Sequence, residues 1–244
     1  MSQTVLILGA ASDIGIAIAE KFAANAFDIQ LAARKSDRLS SLQSDLEIKY
    51  NINCTIHEFD ATDFSSHLTF WNILPVKPAI TISVIGYMND NEKVIKSQEE
   101  TLKTINSNYT GLVSILNIIG EDYAKQQSGV IAGISSVAGL RGRQSNYIYG
   151  SAKAGFIAYL SGLRNRLFHH KVHVLTVLPG FVYTKMTEDL NLPKLLTAQP
   201  VDVADTVYKG ILKKKNKIYV KWFWRWIMMI ITNIPEFIFK RKKL

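Results

Sequence analysis

Cysteine is the scarcest chemistry in this chain of 244 residues, with Cys54 standing alone. A single thiol excludes an internal disulfide and a cysteine-rich metal site. Its place in an apolar–polar alternation predicts a buried strand position rather than a nucleophile. The five histidines lack ligand spacing, so no metal is expected. His169-His170 are expected at a helix C-terminus, where the dipole favours them. The N-terminus lacks the charged and apolar segments of a secretory leader, because a strand pattern begins at Thr4. A cytoplasmic location is expected. Repeats, low-complexity segments and an internal linker are missing too. The one apolar-rich run of the C-terminal region falls short of the ~20 residues that a spanning helix needs.

Acidic side chains are scarce in one region only. Residues 209–244 hold eleven Lys/Arg and one acid, a net of +10, while the other 208 residues carry eighteen Lys/Arg against nineteen acids. The core is close to neutral, and the basic excess belongs to the tail. There Lys213-Lys214-Lys215 and Lys217 precede Trp222-Phe223-Trp224-Arg225-Trp226-Ile227-Met228-Met229-Ile230-Ile231, and Lys240-Arg241-Lys242-Lys243 follow. Three of the four tryptophans fall within five residues, and indoles prefer the headgroup boundary. Juxtamembrane Lys/Arg gain about 1 kcal/mol each near anionic lipid. Arg225 and Pro235 interrupt the run. The tail therefore reads as an interfacial anchor, peripheral on the inner face of a membrane. The alternative is an apolar contact in a homo-oligomer. No nucleic acid is expected, since the apolar run offers no base-reading donors.

A chain of this length with 48% hydrophobic residues supports one large core. Strands are predicted near 4–9, 27–33, 53–59, 79–85, 129–135 and 172–178, and helices near 14–25, 36–50, 97–126, 147–169 and 201–213. This alternation predicts an α/β fold, a single Rossmann-type doubly wound parallel sheet with helices on both faces. Residues 1–208 form that domain, and 209–244 add a basic, aromatic helical tail. Ligands of such folds bind beyond the carboxyl ends of the strands, where Gly9, Gly86, Ser136 and Pro179 fall.

Two segments carry chemistry. Thr4–Leu8 leads into Gly9-Ala10-Ala11-Ser12-Asp13-Ile14-Gly15 and then a helical stretch, a strand–turn–helix start that suits a pyrophosphate. Its end glycines are six apart, so it is not the six-residue dinucleotide fingerprint. Tyr149 and Lys153, four residues apart, project from one helix face. A free tyrosine has a pKa of about 10, and a nearby cation lowers it towards a usable general acid/base. Ser136, thirteen residues upstream, supplies a hydroxyl to hold a carbonyl or alcohol oxygen. At the end of the second strand stands Ala33, where an acid would accept the ribose hydroxyls of NAD. Arg34 offers a bidentate donor for a 2′-phosphate instead, so NADPH is expected, with NADH the alternative.

Gly9…Gly15, Asn108, Ser136, Tyr149, Lys153 and Pro179-Gly180 occur in the order of a short-chain dehydrogenase/reductase, and the chain resembles that family over about residues 4–208. The resemblance implies a catalytic tetrad of Asn108, Ser136, Tyr149 and Lys153, with Asn108 holding a water in a proton relay and Lys153 bonding the nicotinamide ribose. It implies cofactor contacts at Gly9, Ser12, Asp13, Ile14, Gly15, Asp60, Gly86, Tyr149, Lys153, Pro179, Gly180, Val182 and Thr184. Where the family carries a middle glycine this chain has Asp13, whose carboxylate must turn away from the phosphates or cap the helix. That acidic residue, Asn108-Tyr109-Thr110, Arg141-Gly142-Arg143, Asn146-Tyr147-Ile148-Tyr149 and the tail resemble the branch of decaprenylphosphoryl-2-keto-ribose reductases. The branch implies reduction of a 2-keto furanose on a polyprenyl phosphate, with Arg141 and Arg143 gripping a phosphate and a separate flavin oxidase making the ketone. Two other functions compete: reduction of a soluble ketone or 3-oxoacyl thioester, and nucleotide-dependent redox sensing without catalysis.

Overall fold

Val5 and Ile7 of β1 (Thr4–Leu8) face one side of the sheet and Leu6 and Leu8 the other, each pair entering a different core cluster. Burial on both faces is what a central parallel strand requires. The structure is a computed structural model, and it describes residues 3–188 and 191–242. After β1 come α1 (Asp13–Ala23), β2 (Asp28–Ala33), α2 (Ser40–Tyr50), β3 (Cys54–Glu58), α3 (His67–Ile73) and β4 (Ile80–Ser83). Then follow α4 (Asn91–Val94), α5 (Gln98–Ile105), α6 (Gly111–Gln126), β5 (Gly129–Ile134), α7 (Tyr147–Leu167) and β6 (Val172–Leu178). The chain closes with β7 (Phe181–Val182), β8 (Thr197–Ala198), α8 (Pro200–Leu212), β9 (Lys217–Tyr219), α9 (Phe223–Asn233) and α10 (Glu236–Phe239).

The main sheet has seven strands in the order β3-β2-β1-β4-β5-β6-β9, all parallel. Helices cover both faces. Phe22 of α1, Leu46 of α2 and Val207 of α8 pack on one side, and Trp71 of α3, Ile115 of α6 and Phe156 of α7 on the other. Strand order reverses between β1 and β4, which opens a crevice at their carboxyl ends. Cys54 is buried in β3, and burial pushes its thiol up to about 12, so it is no nucleophile near neutral pH.

The structure departs from the sequence expectation in three places. The continuous helix predicted over 97–126 is split by a π turn at Asn106–Thr110. The boundary at 208 falls inside α8, and β9 joins the sheet as its seventh strand beside β6. Three residues amid lysines give too little apolar pattern to be read as a strand, and an edge strand tolerates charge. Finally, one face of α9, within the expected tail, packs on the domain itself. Trp224 and Met228 are buried against Val137 and Leu178.

Candidate active site

The crevice is one groove with two connected chambers. The outer chamber, about 340 Å³, is lined by Gly9, Ser12, Asp13 and Ile14 and by Arg34, Arg38 and Asp60. The inner chamber, about 180 Å³, is lined by Ser136, Arg143, Asn146, Tyr149, Lys153, Pro179, Gly180 and Val182. Ile14, Gly86 and Thr184 line both.

The turn after β1 brings the N-terminus of α1 to this groove. Gly9 has φ +93°, a conformation that costs glycine little. A Cβ on Gly15 would lie 2.6 Å from the Gly9 carbonyl, so the helix start closes on bare backbone. Ser12 caps α1 by accepting from the Gly15 amide at 3.1 Å. Asp13 Oδ2 accepts the Lys185 amide at 2.8 Å, tying the first turn to the loop after β7 while the residue still lines the outer chamber. Asp60 Oδ1 accepts from the Thr62 amide and hydroxyl at 2.8 and 2.7 Å, so it both shapes a turn and lines the outer chamber. Glu58 accepts the Lys35 and Ser36 amides at 2.9 and 2.8 Å, fixing the loop that carries Arg34. Sequence reading missed Arg38, one short helical turn beyond Arg34 and on the same chamber. The four-residue spacing of the two arginines was the available signal.

The inner end of the groove is assembled from four elements. The π turn faces Asn108 inward and wholly buried, where its Nδ2 donates to the Thr104 and Tyr87 carbonyls at 2.9 and 2.5 Å and its Oδ1 accepts the Tyr87 amide at 3.2 Å. Local π geometry of this kind often marks a functional position. A Cβ on Gly86 would stand 3.4 Å from Asn108 Oδ1 and 3.5 Å from Lys153 Nζ, so those two polar groups flank one floor residue. Ser136 follows β5, and its Oγ accepts the Ala138 amide at 3.1 Å. Tyr149 and Lys153 come one turn apart from α7, with the ammonium 5.7 Å from the phenol ring centre. Ser135 Oγ donates to the Lys153 carbonyl at 2.9 Å and fastens α7 to the strand end.

Burial dominates the electrostatics of the inner chamber. Burial pushes the Tyr149 phenol up to about 12 against an opposing hydrogen bond with Ser136. Burial pulls the Lys153 ammonium down to about 7, with the Ile134 and Ile85 carbonyls at 3.3 and 3.4 Å its hydrogen-bond partners. The expected lowering of Tyr149 by Lys153 is therefore outweighed on the protein atoms alone. Both groups lose water in the same cleft, and desolvation opposes both charged forms.

The two arginines of the 141–143 segment part company. Arg143 lines the inner chamber, its Nε is buried without a protein partner, and burial lowers its pKa. Arg141 is committed elsewhere. It donates to the Thr232 carbonyl at 2.9 Å and to Glu236 at 2.7 Å, and its guanidinium lies 4.1 Å from the Phe239 ring centre. Asn146, whose Oδ1 is also buried without a partner, was not assigned to the site from sequence. Thr184 takes a turn-forming role, its amide donating to Thr187 Oγ1 at 3.1 Å, and it faces both chambers.

These donors fit a phosphorylated dinucleotide. The start of α1 and two guanidinium groups line the outer chamber, and a tyrosine–lysine–serine set lines the inner chamber of the same groove. Fold and site together define a nucleotide-dependent oxidoreductase. The family model for short chain dehydrogenase matches residues 3–194, and the chain belongs to that family. It is 31% identical over 242 residues to an uncharacterized oxidoreductase, Rv2073c, of Mycobacterium tuberculosis, covering 97% of this chain and 96% of that one. It is 25% identical over 198 residues to the 3-oxoacyl-[acyl-carrier-protein] reductase FabG of Chlamydia trachomatis, covering 78% of each. A short-chain dehydrogenase from Sphingobium yanoikuyae in complex with NADPH superposes with a TM-score of 0.84 at 24% identity, covering 96% and 97% of the two chains. The protein is an NAD(P)-dependent oxidoreductase.

Proposed function

We propose that the enzyme uses NADPH to reduce a ketone on a polyprenyl-phosphate-linked sugar, converting a 2-keto furanose to its arabino epimer for cell-envelope glycan synthesis. The observation that carries this reading is the seat of the tail. Trp224 lies so close over Gly180 that a Cβ there would sit 1.9 Å from the indole, and Arg141 reaches from the Ser136 loop to Glu236. An apolar, aromatic helix with basic segments on either side thus abuts the substrate end, where a lipid-linked head would enter from a membrane surface. Arg143 supports the same reading, because a half-buried guanidinium whose Nε has no protein partner suits a phosphate oxygen.

Arg34 and Arg38 would hold a 2′-phosphate, Asp60 the adenosine end, and the α1 N-terminus the pyrophosphate. A bound nicotinamide dinucleotide would supply the hydride. Ser136 Oγ holds the carbonyl oxygen, and Tyr149 Oη donates its proton as that oxygen gains charge. Lys153 gains its charge back when an anionic or hydroxyl partner replaces lost water, and a charged Lys153 then eases proton release from Tyr149. Asn108 anchors the relay behind Lys153. A flavin oxidase supplying the ketone, a homo-oligomeric state and a site on the inner face of the membrane complete the proposal.

One competing reading has an observation in its favour. The 3-oxoacyl-[acyl-carrier-protein] reductase similarity makes a 3-oxoacyl thioester the alternative substrate. A redox sensor without catalysis has less support, since sensing requires neither Tyr149 nor Lys153. The test is NADPH oxidation with a short-chain prenylphosphoryl 2-keto-pentofuranose run beside a 3-oxoacyl thioester. Turnover of the keto sugar supports the proposal. Turnover of the thioester alone would overturn the substrate and leave the reductase.

A further inference from the structure

A second hollow, of about 670 Å³, lies between α8, β9 and the start of α9, away from the catalytic groove. Lys209, Lys213, Lys215, Lys217 and Arg225 line it, and no carboxylate does. None of the five joins an ion pair among the described residues. The two acids of α8 are engaged elsewhere, Asp202 with Lys221 at 3.0 Å and Asp205 with Lys21 at 2.6 Å. Five like charges around one hollow repel one another unless an anion enters.

The hollow continues into an apolar face. Trp222, at its rim, is 75% exposed, and Trp226, Met229 and Ile230 follow at helical spacing along α9, all exposed. The opposite face, Trp224 and Met228, is buried in the protein. A helix that is apolar all round is normally covered all round. The charge beside the open face decides what covers it. A second copy would bring its own basic tail across a two-fold axis and be repelled. A nucleic acid would leave the tryptophan and isoleucine without a partner. A bilayer carrying acidic headgroups satisfies both halves at once. Among the described residues no helix is long and apolar enough to cross a membrane, and α9, with 11 residues, is about 16 Å long.

We infer that this hollow is a headgroup site that seats the phosphate of an acidic phospholipid, while Trp222, Trp226, Met229 and Ile230 enter the acyl boundary beside it. The inference rests on the membrane-facing reading of the tail, and it is independent of the keto-sugar substrate.

The test is co-sedimentation of the full chain with vesicles of phosphatidylcholine alone or with one third phosphatidylglycerol. Wild type is compared with Lys213→Gln/Lys215→Gln/Lys217→Gln and with Trp222→Ser/Trp226→Ser/Ile230→Ser. NADPH-dependent reduction of a water-soluble ketone, in which none of these side chains takes part, monitors folding. The expected result is binding to the acidic vesicles, weakened on the order of 100-fold by the triple glutamine variant, as about 1 kcal/mol per lysine implies. Salt at 0.5 M, roughly a 4 Å Debye length, should weaken the wild type similarly. Acidic-vesicle binding that ignores the lysine changes but vanishes with the serine variant would overturn the headgroup site while keeping a membrane-facing tail. Inorganic pyrophosphate bound without vesicle binding, or a dimer lost in the serine variant without vesicle binding, would overturn both.

Discussion

At one end of the groove Arg34 and Arg38 stand in solvent, on a loop held by Glu58; at the other, Lys153 is 3% exposed and Asn108 wholly buried. The solvated end needs only local chain, a turn between β1 and α1 and a short segment after β2. The dry end draws on the π turn, the β5 end, α7 and the loop after β6, and it is braced from outside by α9. The difference is one of dielectric. Exposed charges recognise a ligand cheaply and are screened, whereas buried ones are costly and can be moved far from their solution pKa values. The residues proposed to be catalytic lie at the second kind of end.

The largest effect that would break this contrast is expected at Tyr149. Tyr149→Phe removes the proton donor while keeping the ring, and kcat with any accepted ketone should fall about 10²–10⁴-fold. NADPH affinity, read by fluorescence titration, should change little. Wild-type turnover in this variant would remove the catalytic reading of the dry end altogether.

Lys153 tests the same end through stability. Its folded pKa of about 7 lies below the 10.5 of an exposed lysine, so the folded state holds fewer protons between those values. Unfolding free energy should therefore rise with pH from about 7 to 10.5, and below 7 the full cost of a buried charge is felt, roughly 5 kcal/mol at about 1.4 per tenfold. Lys153→Met should be inactive yet more stable at pH 6, with that slope flattened in urea titrations. Tyr149 acts in the opposite sense: its neutral form is favoured by folding, and this contribution is lost as pH rises from 10 to about 12. A Lys153→Met protein that is less stable at pH 6 would show the ammonium to be well solvated.

The brace predicts a coupling. Gly180→Ala drives a methyl into the Trp224 indole and should cost about 1–3 kcal/mol or more. Trp224→Ala should cost about 3–5 kcal/mol. In the double variant the methyl meets the space left by the indole, so the losses should fall short of additive by about 1 kcal/mol or more in thermal or urea unfolding. Strict additivity would mean that α9 does not rest on the catalytic loop. At the solvated end, Arg34→Ala and Arg38→Ala should each raise the KM for NADPH about tenfold, as a charged hydrogen bond worth about 1.5 kcal/mol implies, and leave that for NADH unchanged. Equal loss for both cofactors would deny a 2′-phosphate role.

Legibility followed the same division. The six strands from β1 to β6 were readable because their buried faces leave apolar runs, and the glycine turn, Tyr149 and Lys153 because their spacing is local. The π turn at Asn106–Thr110 was not, since a single extra residue per turn leaves no trace in a continuous helical pattern. Nor was β9, whose three residues lie among lysines. Arg141 and Arg143 looked equivalent in sequence. Contacts 91 and 95 residues away, to Thr232 and Glu236, separate them. Long-range partners also govern the Lys153 pKa, because burial depends on what closes over a residue and not on its neighbours in the chain.

Asp13 offers the finest measure of the contrast, because it sits at the seam. Its carboxylate occupies the first turn of α1, where a negative charge suits the dipole, yet it lines a chamber that would receive phosphate. The 2.8 Å bond to the Lys185 amide reconciles the two by drawing the charge towards the loop that carries Thr184 and Met186. Asp13→Asn keeps an acceptor oxygen for that amide and removes the repulsion, so the KM for NADPH should fall by a few fold and stability should change by less than about 1 kcal/mol. Asp13→Ala frees the loop as well, and its KM for the ketone should rise while the NADPH constant improves as in the asparagine variant. The two substitutions thus separate charge from tether by steady-state kinetics with each substrate varied in turn. If Asp13→Asn weakens NADPH binding, the carboxylate itself contributes to the cofactor site and is not turned aside.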